Sequence, residues 1–149
     1  MSQQTPQVHR RMVQTPILRI GAKLLIPYIL LFAFYVQFHG DFGPGGGFQA
    51  GVIFAAGLVL YALVFGIDAL DQVAPPRILE LGMAFGVLLY GGTGVATMLL
   101  GQEFLAYDAL DHHHGQHWGI LLVEGGVGIT VTCTMAVLYR TFAIRGRPE

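Results

Sequence analysis

Four uninterrupted apolar runs, each close to the ~20 residues that an α-helix needs to cross a hydrocarbon core, constrain this chain more than any motif does. They cover about residues 17–38, 48–67, 78–100 and 118–139, and the segments between them are rich in turn-forming or polar residues. Inside a bilayer the backbone has no water to bond with. A spanning segment is therefore a helix that satisfies its own N–H and C=O groups, or a strand in a closed barrel. Barrel strands alternate apolar and polar residues; these runs are continuously apolar, so helices are expected. The composition agrees: of 149 residues only 8 are Lys or Arg and 9 Asp or Glu, and 54% are hydrophobic. The expected fold is an all-α membrane protein, a bundle of four transmembrane helices forming one membrane domain over 17–139, with 1–16 and 140–149 as segments outside the bilayer.

Charge then orients the spans. Arg10, Arg11, Arg19 and Lys23 precede or begin the first run, Arg77 lies in the second connection, and Arg140, Arg145 and Arg147 follow the fourth run. Neither the 39–47 connection nor the 101–117 connection carries a Lys or Arg. The excess of positive charge on cytoplasmic loops predicts both termini in the cytoplasm and a multi-pass protein of the cell membrane. Asp and Glu fall on both sides, as expected of a rule that counts positive charge. Arg19 and Lys23 are read as anchors whose charged ends reach the headgroups. The first run is too long for the apolar core of a signal peptide and ends in Gln37-Phe38-His39-Gly40 with no small-x-small cleavage pattern. With a formal net charge of −1 and no basic cluster interleaved with aromatics, nucleic acid is not an expected partner.

Glycine and one carboxylate supply the candidate functional features. Pro44, Gly45, Gly46 and Gly47 put a flexible turn directly before Phe48, Gln49, Ala50 and Gly51 at the start of the second run. Gly47, Gly51 and Ala55 repeat at helical spacing, as do Gly82 and Gly86, while Gly125, Gly126 and Gly128 crowd the fourth run. Small-residue surfaces let membrane helices approach closely. Their abundance exceeds what four helices need among themselves, so other hydrophobic subunits are expected partners, besides the lipid bilayer. Glu124 stands about 9 Å inside the outer end of its run at 1.5 Å per residue, with no further charge before Arg140. A carboxyl there stays protonated, takes a partner or lines water. It reads either as an ion-path site or as a structural hydrogen-bonding group at a helix interface. Pro27 is read as a packing kink and the lone Cys133 as a small core residue. His112, His113, His114 and His117 form a polar loop without the Cys or convergent spacing of a metal centre, so no metal is assigned to them. No His lies within a span to ligate haem, no phosphate loop follows the glycines, and no nucleophile and base pair is present. No cofactor and no enzymatic activity are expected.

These residues carry a resemblance. Pro44-Gly45-Gly46-Gly47-Phe48-Gln49-Ala50-Gly51 resembles the Pro-Gly-Gly-Gly-Phe-x-(Gly or Ala)-Gly signature of the B subunit of the Mrp (Mnh) multisubunit cation/proton antiporters. Gly101-Gln102-Glu103-Phe104-Leu105 and Leu122-Val123-Glu124-Gly125-Gly126-Val127 are similar to further elements of that family, and the likeness covers about residues 17–139. The chain departs from it at His39-Gly40-Asp41-Phe42-Gly43, where the histidine stands one place early. The resemblance implies an accessory membrane subunit of an assembly that exchanges Na+ for H+, needed for assembled activity and supporting pH and sodium homeostasis. The chief proton-handling machinery would lie in larger subunits. The alternative is a structural membrane subunit of a related redox complex such as a membrane-bound hydrogenase.

Overall fold

The computed structural model describes residues 16–40, 43–101, 103–107 and 115–146. Five helices run through them: α1 Pro16–His39, α2 Gly47–Phe65, α3 Ile67–Val73, α4 Pro76–Leu99 and α5 Gly115–Arg145. All but α3 are long and apolar enough to cross a membrane. His112, His113 and His114 lie outside the described residues, as does the chain before residue 16.

Local chemistry sets the boundaries. Gly66 adopts φ 96° and ψ 162°, a region essentially reserved for glycine. Its N–H bonds to the Ala62 carbonyl at 2.9 Å, closing α2, and its carbonyl accepts from Leu70 N at 3.2 Å, opening α3. The second apolar run is thus broken before Ile67, and the stretch expected as a plain connection folds as a short helix. Pro76 starts α4, where a missing N–H costs nothing, and the Pro75 carbonyl accepts from Ile78 N and Leu79 N at 2.9 and 3.2 Å. α5 overruns its apolar run at both ends, to Gly115 and Arg145 instead of 118 and 139. Loss of apolarity marks where a helix leaves lipid, not where its hydrogen bonding stops.

Side-chain contacts give the directions. The Arg19 guanidinium lies over the Phe65 ring, 5.7 Å from its centroid, and Phe34 meets Phe54 edge-on at 5.6 Å, so α1 and α2 are antiparallel. Gly47 abuts Glu124, Gly51 abuts Gly128 and Val131, and Ala62 shares a core with Ala136, so α2 and α5 run parallel. Gly86 meets Gly126 and Thr130, and Gly82 meets Cys133, so α4 is antiparallel to α5.

The main packing order of the long helices is α1–α2–α5–α4, and α1 also touches α5. Gly126 presents α5 to the Gly86 carbonyl of α4, while Gly128 presents it to Gly47 of α2. Residues two apart point roughly 200° apart around a helix of 3.6 residues per turn. The glycine pair therefore wedges α5 between its two neighbours. Gly47, Gly51, Gly82, Gly86, Gly126 and Gly128 are consequently occupied by the chain's own helices, so these stripes are not the surface left for other subunits. Ala55 is buried as well, whereas Gly21, Gly91, Gly92 and Gly125 meet nothing within 4 Å.

Each end of the molecule has its own fastening. At the end holding Arg19, Arg77 and Arg140, the buried Ala62, Leu70, Ala74, Leu79 and Ala136 join α3 to α2, α4 and α5. Arg140 there grips Asp71 with two bonds, Nε to Oδ1 at 2.7 Å and Nη2 to Oδ2 at 3.0 Å. At the other end, residues 103–107 fold back on the helices. The Phe104 ring fills the notch at Gly94 and the Tyr107 ring that at Gly119. Thr97 Oγ1, fully buried, donates to the Gly94 carbonyl at 2.8 Å and accepts from Leu105 N at 3.0 Å, holding Leu105 at φ 64°.

Candidate functional site

The turn between α1 and α2 is built from backbone. Gly43 N donates to the His39 carbonyl and Gly46 N to the Val36 carbonyl, both at 3.2 Å, so the chain doubles back on the last turn of α1 before α2 begins. Gly46 makes the final reversal at φ 116° and ψ −179°, again a conformation for glycine alone. A Cβ on Gly45 would stand 2.8 Å from the Val36 carbonyl oxygen, so this glycine is needed for close approach.

Into this turn α5 delivers Glu124. A Cβ on Gly40 would lie 2.7 and 2.9 Å from the two carboxylate oxygens, one on Gly46 would lie 2.8 Å from Oε1, and one on Gly47 would overlap the Glu124 carbonyl. The carboxylate is therefore seated against bare backbone, with Gly40 and Gly46 as its walls and Gly47 as the floor beneath its main chain. The two sequence features read separately, the Pro44 to Gly51 motif and the lone membrane carboxylate, are one site. The seat lies beside the first residue of α2, whose N-cap Gly46 offers no side chain. A negative group beside a helix N-terminus is favoured by the helix dipole, typically by 0.3–1 kcal/mol. Gln49 Oε1 lies 3.7 Å from where a Gly46 Cβ would stand, and His39, stacked on Tyr35 at 5.2 Å, packs beside Gly43. Glu124 is half-buried and follows nine residues of helix from Gly115, about 14 Å at 1.5 Å per residue, deeper along its helix than the apolar run implied.

Next to this seat, between α1, α2 and α5, lies a cavity of about 340 Å³, whose lining includes Phe34, Phe54, Gly125, Ile129 and Cys133. Gly125 thus borders open space, not a helix of this chain. The polar side chains on its lining are Gln37 and Thr132. Thr132 Oγ1 is committed to the Gly128 carbonyl at 2.8 Å and the Gly51 carbonyl at 3.2 Å, bridging α5 and α2. Gln37 Nε2 is buried and makes no hydrogen bond among the described residues. Such a donor costs about 1–3 kcal/mol if left unmet. Apart from Cys133, the residues lining the cavity are not ionisable.

Phe48 is exposed at the start of α2, and Pro44 is exposed in the turn. His117 sits exposed at the start of α5 beside Trp118, their rings 6.1 Å apart. No group of three metal-ligating side chains occurs among the described residues. Gly40 and Gln37 belong to the site without having been singled out in the sequence. The signal for Gly40 was only a further glycine just ahead of the motif, and Gln37 looked like the polar end of an apolar run.

Two comparisons with known proteins bear on this arrangement. The family described as "Domain related to MnhB subunit of Na+/H+ antiporter" matches residues 17–137. Proteins of Staphylococcus aureus strains Newman, COL and NCTC 8325, each named "Putative antiporter subunit mnhB2", are 37% identical to the chain over 92 residues. That alignment covers 60% of this chain and 63% of theirs, so the chain spans less than two thirds of the length of the curated relatives it matches.

Proposed function

Because the chain belongs to the family of domains related to the MnhB subunit of Na+/H+ antiporters, we propose that it is an accessory integral-membrane subunit of a multisubunit antiporter. The assembly exchanges sodium for protons across the cell membrane and supports pH and sodium homeostasis, and this chain is needed for its assembly and exchange activity. The observation that carries this reading is the extent of the family match, whose residues 17–137 take in nearly all of the four long apolar helices together with the Glu124 seat. Neither comparison supports the redox-complex alternative. The chain works as a component of a transporter, not as an enzyme. Its partners are further hydrophobic subunits, with Na+ and H+ handled by the whole assembly.

In this reading the end of the molecule holding Arg19, Arg77, Arg140 and Arg145 faces the cytoplasm, since positive charge is retained on that side. Both termini lie there, and the glycine turn faces out. Glu124 supplies an exchangeable carboxylate bordering the ion path near the outer surface. A relay needs a series of exchangeable groups, and the cavity next to Glu124 offers a single ionisable side chain on its lining, the Cys133 thiol, so the onward steps belong to other subunits. Replacing Glu124 with Gln in the assembled complex tests the site. Gln keeps the shape of the side chain, so assembly should persist while Na+/H+ exchange in vesicles falls severalfold. Unchanged exchange would remove the site assignment and leave the subunit reading in place. Isolation of the chain from native membranes as a stable single species would overturn the subunit reading itself.

A further inference from the structure

The surroundings of Glu124 discriminate between the two ions of the proposed exchange. Both carboxylate oxygens lie over the Cα of Gly40, on the side where any other residue would carry its side chain, and Oε1 lies over Gly46 in the same way. These walls are C–H groups. They make weak favourable contacts with oxygen, but they have no lone pair to give a metal ion. Gly46 and Gly47 are buried at the start of α2, so the positive end of that helix dipole lies beside the carboxylate. It favours an anion and opposes a cation placed next to it.

The carbonyl oxygens around the turn are engaged elsewhere. Val36 O accepts from Gly46 N, His39 O from Gly43 N and Gly46 O from Ala50 N, while the Gly47 carbonyl lies against Gly128 of α5. Gln49, exposed on α2, brings one side-chain oxygen near Gly46. Hard cations take a shell of about six or more oxygens, and no group of three metal-ligating side chains occurs among the described residues. The neighbouring cavity, lined mainly by apolar residues, offers no replacement for a hydration shell. A proton needs no shell, because it binds one carboxylate oxygen covalently and leaves the group neutral. Among the described residues, the other titratable side chain of this turn is His39 on α1, beside Gly43. On α2 the first ionisable residue is Tyr61, and on α5 there is none besides Glu124 between His117 and Cys133.

We infer that Glu124 takes up and releases protons only, and that sodium is coordinated by other parts of the assembly. This rests on the reading of Glu124 as an exchange site and adds which ion it serves. Gly40 and Gly46 set that choice, by presenting C–H groups where a sodium site would present oxygen.

The test uses the intact complex in native membranes and dicyclohexylcarbodiimide, an apolar reagent that couples to protonated carboxyl groups, with the adduct at Glu124 measured by mass spectrometry. Labelling should fall as pH is raised. At a fixed pH within that fall, Na+ should change it no more than an equal concentration of choline does. Protection specific to Na+, or labelling that is absent or indifferent to pH, would overturn the inference. Glu124→Asp gives a second measurement, since the shorter side chain draws the carboxyl off its glycine walls. The maximal exchange rate should drop severalfold while the KM for Na+ stays unchanged; a severalfold rise in that KM would overturn the choice of ion. Should Glu124→Gln leave exchange unaltered, the exchange-site reading fails instead. Exchange lost in Glu124→Gln together with Na+ protection of the unaltered chain sinks only the proton selectivity.

Discussion

Replacing Gly47 with alanine probes the closest approach between two spans. A Cβ there would overlap the Glu124 carbonyl oxygen and lie 2.8 Å from its carbon and 3.0 Å from its Cα, where ordinary contact is 3.4–4 Å. These are backbone atoms of α5, so no side-chain rotation relieves the overlap, and α2 and α5 must part. Parting them also stretches the bond from Thr132 Oγ1 to the Gly51 carbonyl, already 3.2 Å long. Overpacking of this kind costs about 1–3 kcal/mol. Against it stands the helix propensity that alanine gains over glycine, at most about 1 kcal/mol in a helix interior and less at the first helical residue. The clash wins, and the expected net loss is about 1–2 kcal/mol, or a five- to thirtyfold fall in the folded-to-unfolded ratio. Gly125→Ala is the control: with nothing within 4 Å, it should be neutral or stabilising by up to about 1 kcal/mol. Equilibrium unfolding in mixed micelles titrated with SDS, followed by the single tryptophan, Trp118, reads both. A Gly47→Ala variant within about 0.5 kcal/mol of the unaltered chain, the range of an ordinary surface change, or a Gly125→Ala variant equally damaged, would refute the reasoning.

Three further outcomes are expected. Thr97→Val removes the acceptor for Leu105 N and the donor to Gly94, so it should cost about 1–3 kcal/mol and free residues 103–107 to faster amide exchange while the spans stay protected. A double-mutant cycle over Asp71→Asn and Arg140→Gln should give a coupling of at most about 1 kcal/mol, the scale of a partly exposed ion pair, and this should shrink as salt rises. For orientation, in a chain with Cys133 replaced by Ala, a cysteine at Pro44 should react with a membrane-impermeant thiol reagent added outside intact cells. One at Arg145 should react only after the membrane is opened; the reverse pattern would invert the topology.

How far the fold could be read from the chain depends on what kind of signal each part leaves. The spans were legible because bilayer thickness imposes a length that apolar runs display directly. Their ends were not, since α5 keeps its hydrogen-bond ladder through Arg140 to Arg145 after its side chains turn polar, and Gly66 breaks α2 by a backbone conformation that a single letter hardly announces. The glycine-rich turn and Glu124 were each visible as oddities. Their meeting was not, because it depends on α5 running parallel to α2, a pairing that no local pattern encodes. The small-residue stripes were legible as close-contact surfaces, but their partner was misjudged. Gly126 and Gly128, two residues apart, serve opposite neighbours, and only the arrangement of helices shows that both are taken up inside the chain.

The side-by-side order of the helices has a consequence for transport. An order of this kind leaves two broad faces, and the cavity it holds between α1, α2 and α5 is lined mainly by apolar residues. Among the described residues α1 and α4 make no extensive contact, so these helices do not close into a ring of their own. Whatever conduit this polypeptide borders, it can serve as one wall of it, and the remaining walls have to come from other proteins.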